Sequence, residues 1–128
     1  MRKNISSGAK WEKVVGYSRA VRIGNIIEIS GTVALDNGNV VGKDNEYEQT
    51  KFILQKFDDI LKQAGAEITD VVRTRIYVKD ISKWNEIAKA HQEVFGNIKP
   101  ATSMVEVSRL ISPEYLVEIE ATAIIDKQ

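Results

Sequence analysis

Apolar residues recur at two different periods along this chain, and the switches between them mark its elements. Residues 19–23 (Arg-Ala-Val-Arg-Ile) run into Gly24-Asn25, a two-residue turn signal, and Ile26 to Val33 then alternates. In that stretch Ile27, Ile29 and Val33 point one way, and Glu28, Ser30 and Thr32 the other. Asp36-Asn37-Gly38-Asn39 is a second turn cluster. From Asn45 the period changes. Asn45 and Glu48 have the spacing of a capping box, and Ile53, Phe57, Ile60, Leu61 and Ala64 fall at helical intervals up to Gly65. Val71 to Val78, rich in β-branched residues, predicts a strand. Asp80 or Ser82 can cap a second helix with the stripe Trp84, Ile87, Ala88, His91, Val94 and Phe95, closed by Gly96. Pro100 opens a strand to about Leu110, Ser112-Pro113-Glu114 makes a turn, and Leu116 to Ile125 is the last strand. Residues 1–10, polar and Gly/Ser-containing, read as a loosely held arm.

This order predicts an α+β fold, a mixed sheet with two helices on one face. By alternation the other face carries Glu28, Ser30 and Thr32; Arg73, Arg75 and Tyr77; Thr102, Met104, Glu106 and Ser108; and Glu118, Glu120 and Thr122. In the 71–78 strand the helix-facing set is Val72, Ile76 and Val78, with Thr74 the exception. A face this polar is either a solvated antiparallel surface or one that meets copies of itself around a polar interior. The pattern leaves both open.

Composition narrows the chemistry. A length of 128 residues fits one domain, 1–128, which can bury a core without disulfides or a structural metal. Eighteen basic and eighteen acidic residues give zero net charge, which argues against a nucleic-acid partner. Cysteine is absent, so disulfides, thiolate catalysis and cysteine-ligated metals are excluded. A single histidine, His91, excludes histidine-rich metal sites and any two-imidazole mechanism. With no Gly-rich phosphate loop, HExxH or nucleophile elbow, neither a metal nor a cofactor is expected. No apolar run reaches the length of a membrane span, and the first eight residues lack a signal peptide's apolar region. A cytoplasmic protein with no membrane partner is the expectation.

Few side chains then compete for a role. His91 titrates near neutrality, but it lies in register with Ile87, Ala88, Val94 and Phe95, the place of a hydrogen-bonded core or interface histidine. Asp58-Asp59 flanks the first helix as a solvated pair, and Trp11 and Trp84 read as packing anchors. Glu118 and Glu120 share one face of the last strand. Repulsion or burial there would raise a carboxyl pKa toward the range of a general base.

The run Pro100-Ala101-Thr102-Ser103-Met104-Val105-Glu106-Val107-Ser108-Arg109-Leu110, followed by Val117-Glu118-Ile119-Glu120-Ala121, resembles the signature of the RidA/YjgF family. These proteins are also called endoribonuclease L-PSP or translation-inhibitor proteins. Gly16 to Val21, Ile29-Ser30-Gly31 and Val71 to Asp80 extend the resemblance over nearly the whole chain. It implies a chorismate-mutase-like (YjgF-like) protomer and a homotrimeric barrel with helices outside, so that the polar sheet face lines the barrel. It also implies a small-molecule ligand in each cleft between subunits. The family's deaminases hydrolyse enamines and imines, such as 2-aminoacrylate, to 2-keto acids and ammonia without a cofactor.

Active members carry an arginine at the third position of Pro-Ala-Arg-Ser, whose guanidinium grips the substrate carboxylate through two parallel hydrogen bonds. A glutamate near the end of the last strand positions the attacking water, and a tyrosine and a serine from the early strands complete the pocket. The resemblance carries these roles to Glu120, Tyr17 and Ser30, with Gly31 beside them, but Thr102 stands in place of the arginine. Ala88 replaces the family's helix-borne asparagine, and Met104 its frequent cysteine. Arg19, where a neutral glutamine is expected, is either a surface arginine or a cation that compensates from another direction. Three readings follow: a ligand-binding trimer without standard deaminase activity, a deaminase or related hydrolase of altered substrate choice, and an endoribonuclease or translation inhibitor. Zero net charge and a lone histidine weigh against the last.

Overall fold

The period-2 stretches pair into one six-stranded sheet in the computed structural model, which describes residues 1–126; the last two residues of the expected domain 1–128 lie outside the described residues. The strands are β1 (Arg2–Ile5), β2 (Ala20–Ile23), β3 (Ile26–Thr32), β4 (Leu35–Asp36), β5 (Asn39–Val40), β6 (Val71–Val78), β7 (Ala101–Glu106) and β8 (Val117–Ile124). The large sheet has the order β1-β2-β3-β8-β6-β7, and β4 and β5 form a separate hairpin. Asn37 and Gly38 turn that hairpin with φ of 49° and 85°, as a two-residue turn of this hand requires. All neighbours in the large sheet are antiparallel except β6 and β7, which run parallel with α3 (Trp84–Phe95) between them in sequence. α2 (Glu46–Gln63) and α3 cover one face, which gives the expected α+β architecture.

Local chemistry explains where these elements begin. Asn45 accepts from the Glu48 amide at 3.0 Å and opens α2, a cap that contributes about 1 kcal/mol. Asp80 caps a single 3₁₀ turn, Ile81–Lys83, and α3 follows from it. Gly96 stays right-handed, and the chain leaves the helix through Lys99 at φ 54°. The core between sheet and helices is built on Ile27, Ile53, Phe57, Leu61, Ile87 and Ile119, all fully buried. Each such side chain contributes about 1.5–3 kcal/mol through the apolar surface it removes from water. Trp11 and Trp84 take no part: they are 45% and 56% exposed, so neither is a packing anchor of the protomer.

Two bulges displace Thr32 and Val72 from the faces that alternation gave them, while Ile27, Ile29, Ile76 and Val78 keep theirs. β3 spends three steps from Ile29 to Thr32 while β8 spends two from Ala121 to Ile119, and Thr32 turns into the core. On β6, Val71 pairs with Ala123 and Arg73 with Thr122, so Val72 is the extra residue and is exposed. Val71 takes its place on the helix side, while Thr74, Ile76 and Val78 face the helices as the alternation predicted. An inserted residue flips every position beyond it, and nothing in a period-2 pattern announces one.

β7 also faces the other way from the expectation. Its parallel register, Thr74 with Thr102, Ile76 with Met104 and Val78 with Glu106, puts Thr102, Met104 and Glu106 on the helix side. Ser103 and Val105 stand with Arg75 and Tyr77 on the polar face. This is an edge strand exposed on both sides apart from Met104, so hydropathy carries no parity signal there. It ends at Glu106 rather than Leu110 because β6, its one neighbour, ends at Val78.

The N-terminal residues are held, not loose. Arg2–Ile5 pair with Ala20–Ile23, and a short helix, α1 (Lys10–Val15), follows. Glu12 is buried beneath the intervening turn and accepts from Ser6 Oγ at 2.8 Å, the Ser7 amide at 3.1 Å and the Ser7 hydroxyl. Burial by itself raises that carboxyl's pKa, but the hydrogen bonds from Ser7 and Ser6, helped by Arg19, outweigh it and hold it below the usual range. Among the described residues, no helix is long and apolar enough to cross a membrane.

Candidate functional site

Two cavities divide the candidate residues between them. The first, a cleft of about 910 Å³, opens where the β3 bulge meets β8 and the loop after α1. Tyr17, Arg19, Ser30, Gly31, Glu118 and Glu120 all line it. The second, a pocket of about 410 Å³ between α3 and β7, is lined by Ile76, Ala88, His91, Phe95, Thr102 and Met104 among others. Five of the six residues singled out in the sequence therefore meet in one cleft, and Thr102 stands at a separate pocket.

The cleft is assembled by backbone constraints. Gly16 closes α1 in the left-handed conformation (φ 87°), and the Tyr17 amide bonds back to the Glu12 carbonyl at 2.9 Å. Ser30 N donates to the Arg19 carbonyl at 3.0 Å, and Ser30 Oγ to that of Ser18 at 2.7 Å. These bonds hold the early strands together around the cleft. The Arg19 guanidinium lies 5.6 Å from the Tyr17 ring centroid and donates through Nη2 to the Gly31 carbonyl. Its Nε is buried without a hydrogen-bond partner among the described residues. Arg19 is thus a wall of the cleft rather than a plain surface arginine.

The two glutamates of β8 differ. Glu120 is anchored: Oε1 accepts from the Tyr77 hydroxyl at 2.7 Å, and Oε2 faces Arg75 Nη1 at 3.4 Å. That bond to Glu120 raises the Tyr77 phenol above its ordinary range. Glu118 makes no side-chain hydrogen bond among the described residues and packs on Gly31, where a Cβ would sit 2.5 Å from Glu118 Oε2. A glycine at 31 leaves that carboxylate its place. Burial pushes the Glu118 carboxyl up; Arg19 opposes the rise and Glu120 adds to it. The sequence marked Glu118 only as a neighbour of Glu120, although desolvation favours it as the proton-holding group.

In the pocket, Thr74 Oγ1 lies 2.7 Å from Thr102 Oγ1 and 2.9 Å from His91 Nε2. A threonine hydroxyl has one proton, so with Thr74 donating to Thr102, His91 donates to Thr74 from Nε2. Burial lowers the His91 pKa and so favours the neutral ring, which donates here as its Nε2–H tautomer. The ring packs on Phe95 at 4.7 Å between centroids. His91 is therefore a hydrogen-bonded, half-buried histidine, as its helical register suggested. Lys56, on α2, also lines the cleft and was missed, because a single lysine beside an apolar stripe carries no sequence signal.

Fold and cleft together define a YjgF-like α+β protomer, and comparison with known proteins agrees. The family model for endoribonuclease L-PSP matches residues 8–125. A RutC family protein of Pyrococcus abyssi is 38% identical over 96% of this chain and 98% of its own. Human 2-iminobutanoate/2-iminopropanoate deaminase is 33% identical over 95% of this chain and 90% of its own. The crystal structure of Mycobacterium tuberculosis Rv2704, a member of the YjgF/YER057c/UK114 family, superposes with a TM-score of 0.90 at 49% identity, covering 98% of this chain and all of that one. The chain belongs to the endoribonuclease L-PSP family, the RidA/YjgF family that its motifs resemble.

Proposed function

We propose that this protein is a cytoplasmic homotrimer that binds a small carboxylate-bearing metabolite in clefts between its subunits, without the standard enamine/imine deaminase activity. The observation that carries this reading is the engagement of Thr102. Its hydroxyl ends a neutral chain through Thr74 to His91, so the position of the family's carboxylate-gripping arginine supplies no charge. The division of the site supports the assembly. Tyr17, Ser30 and Glu120 line one cavity and Thr102 another, and an exposed edge strand can present Thr102 to a neighbour's cleft.

Within the cleft, Arg19 is the group suited to a ligand carboxylate. A guanidinium carries five N–H donors, and the Gly31 carbonyl is the one acceptor it meets among the described residues. Calorimetric titration with lactate tests this: Arg19→Gln is expected to weaken binding about 10- to 100-fold, the loss of one charge-assisted contact. Equal affinity in native protein and variant contradicts it. Hydrolysis of enamines or imines with altered substrate choice is the second reading, because Arg19 shares the cleft with Glu120, whose anchored carboxylate can orient a water. Saturable ammonia release that is lost in Glu120→Ala would favour that reading. Zero net charge and one half-buried histidine, which supply neither phosphate contacts nor an acid–base pair, weigh against the ribonuclease activity in the family's name.

A further inference from the structure

Lys56 is the second cation of the cleft, beside Arg19. Its ammonium end donates to the Leu35 carbonyl at 2.7 Å and lies 5.5 Å from the Phe52 ring centroid. Lys62 and Lys83, by contrast, meet Asp58 and Glu86 at 2.9 Å and 3.9 Å. Among the described residues, no carboxylate forms such a pair with Lys56. Burial pushes its amine below the usual lysine range, the Arg19 charge pushes the same way, and Asp36 opposes in part. When this amine gives up its proton it can still give one hydrogen to the Leu35 carbonyl and keep its lone pair, and burial beside the Arg19 charge eases that loss.

We propose that Lys56 Nζ, set in the same cleft as the Arg19 guanidinium, captures small carbonyl compounds that bear a carboxylate, 2-oxo acids above all, as imines. Arg19 holds the carboxylate. The lone pair of Nζ attacks the carbonyl carbon, an N–C bond forms, and the carbonyl π pair moves to oxygen, which takes a proton as the nitrogen loses one. The resulting carbinolamine loses its hydroxyl as water, the nitrogen gives up its second proton, and a C=N bond replaces the C–O bond. Glu118 lines the same cleft and is the carboxyl placed to pass a proton to the departing hydroxyl. Addition of water reverses each step, so the capture consumes no co-reactant. All of these residues belong to one protomer, so the inference does not need a neighbouring copy.

Reductive trapping tests it. The full chain is incubated with pyruvate and sodium cyanoborohydride, and the labelled lysines are located by peptide mass mapping. At early times Lys56 is expected to carry severalfold more label than any other lysine. Lys56→Arg keeps a donor for the Leu35 carbonyl and should lose this label while unfolding at an unchanged temperature. Arg19→Lys keeps the neighbouring charge; it should lower labelling by pyruvate severalfold and leave labelling by propanal, which has no carboxylate, unchanged. Label spread evenly over surface lysines overturns the proposal and leaves Lys56 as a staple between α2 and the β4–β5 hairpin. Capture of propanal without pyruvate also overturns it. The carboxylate contact rests on the reading of Arg19 given above, and the two failures differ: loss of that contact alone leaves Lys56 labelled by propanal but not by pyruvate, whereas evenly spread label removes the nucleophile.

Discussion

Thr74 and Thr102 face each other across the parallel β6–β7 pair, with their hydroxyl oxygens 2.7 Å apart. Thr74 is fully buried and reaches His91 on α3 with the same oxygen, so one side chain joins edge strand, central strand and helix. A neutral device of this kind holds Thr102, the position where the resemblance leads one to expect an arginine. It fixes Thr102, while burial lowers the His91 pKa.

Removing the middle of the chain should cost stability. Thr74→Val keeps the shape but leaves the His91 nitrogen and the Thr102 hydroxyl without their partner. The expected loss is about 1–3 kcal/mol in denaturant unfolding, with Thr74→Ser losing less. Native-like stability for Thr74→Val would show that the chain contributes nothing.

His91 should make stability depend on pH below neutrality. Burial places its folded-state pKa below the unfolded value of 6.5, so the unfolded chain binds a proton first. Stability from this group is present above 6.5 and falls as pH drops from there toward the lowered folded value. Glu118, whose pKa is raised, acts in the opposite sense by favouring the folded state as it gains its proton. Comparing native protein with His91→Gln at each pH isolates the histidine: the variant should lose less stability than the native protein between about pH 7 and pH 5.5. Parallel curves would contradict this.

The exposed edge strand should control assembly. Val105 stands on the polar face of β7, 47% exposed and in register with Tyr77. Lysine on an edge strand opposes further pairing. Sedimentation of the native protein should give the mass of three subunits, and Val105→Lys should shift it toward one. A native mass of one subunit would remove the shared cleft.

Much of this was legible in the sequence because the relevant signals are local. The cap at Asn45, the turn at Asn37-Gly38 and the apolar stripe of α2 each lie within a few residues and fold as read. Tyr17, Ser30, Gly31 and Glu120 were singled out through motif resemblance and Arg19 through its departure from the motif, and the fold brings the five to one cleft. What escaped depends on pairing across the chain. The bulges at Val72 and before Thr32 exist only in relation to β8, and the facing of Thr102 exists only in its register with Thr74. β1 was invisible because Ile5 is the one buried residue among its four, and Glu12 holds the following turn with hydrogen bonds that hydropathy does not record. Glu118 gains its character from the burial and neighbours that the fold supplies.

The central claim is that Thr102 marks an intact cleft whose carboxylate-gripping charge has left its usual place. Release of ammonia and pyruvate from freshly generated 2-aminoacrylate tests it most directly, with native protein and Thr102→Arg side by side. The account predicts little turnover by the native protein and a gain in Thr102→Arg. Restoring a desolvated charge contact is worth about 2–5 kcal/mol, a factor of roughly 30 to several thousand at most. Rapid turnover by the native protein, unchanged or reduced in Thr102→Arg, would contradict it.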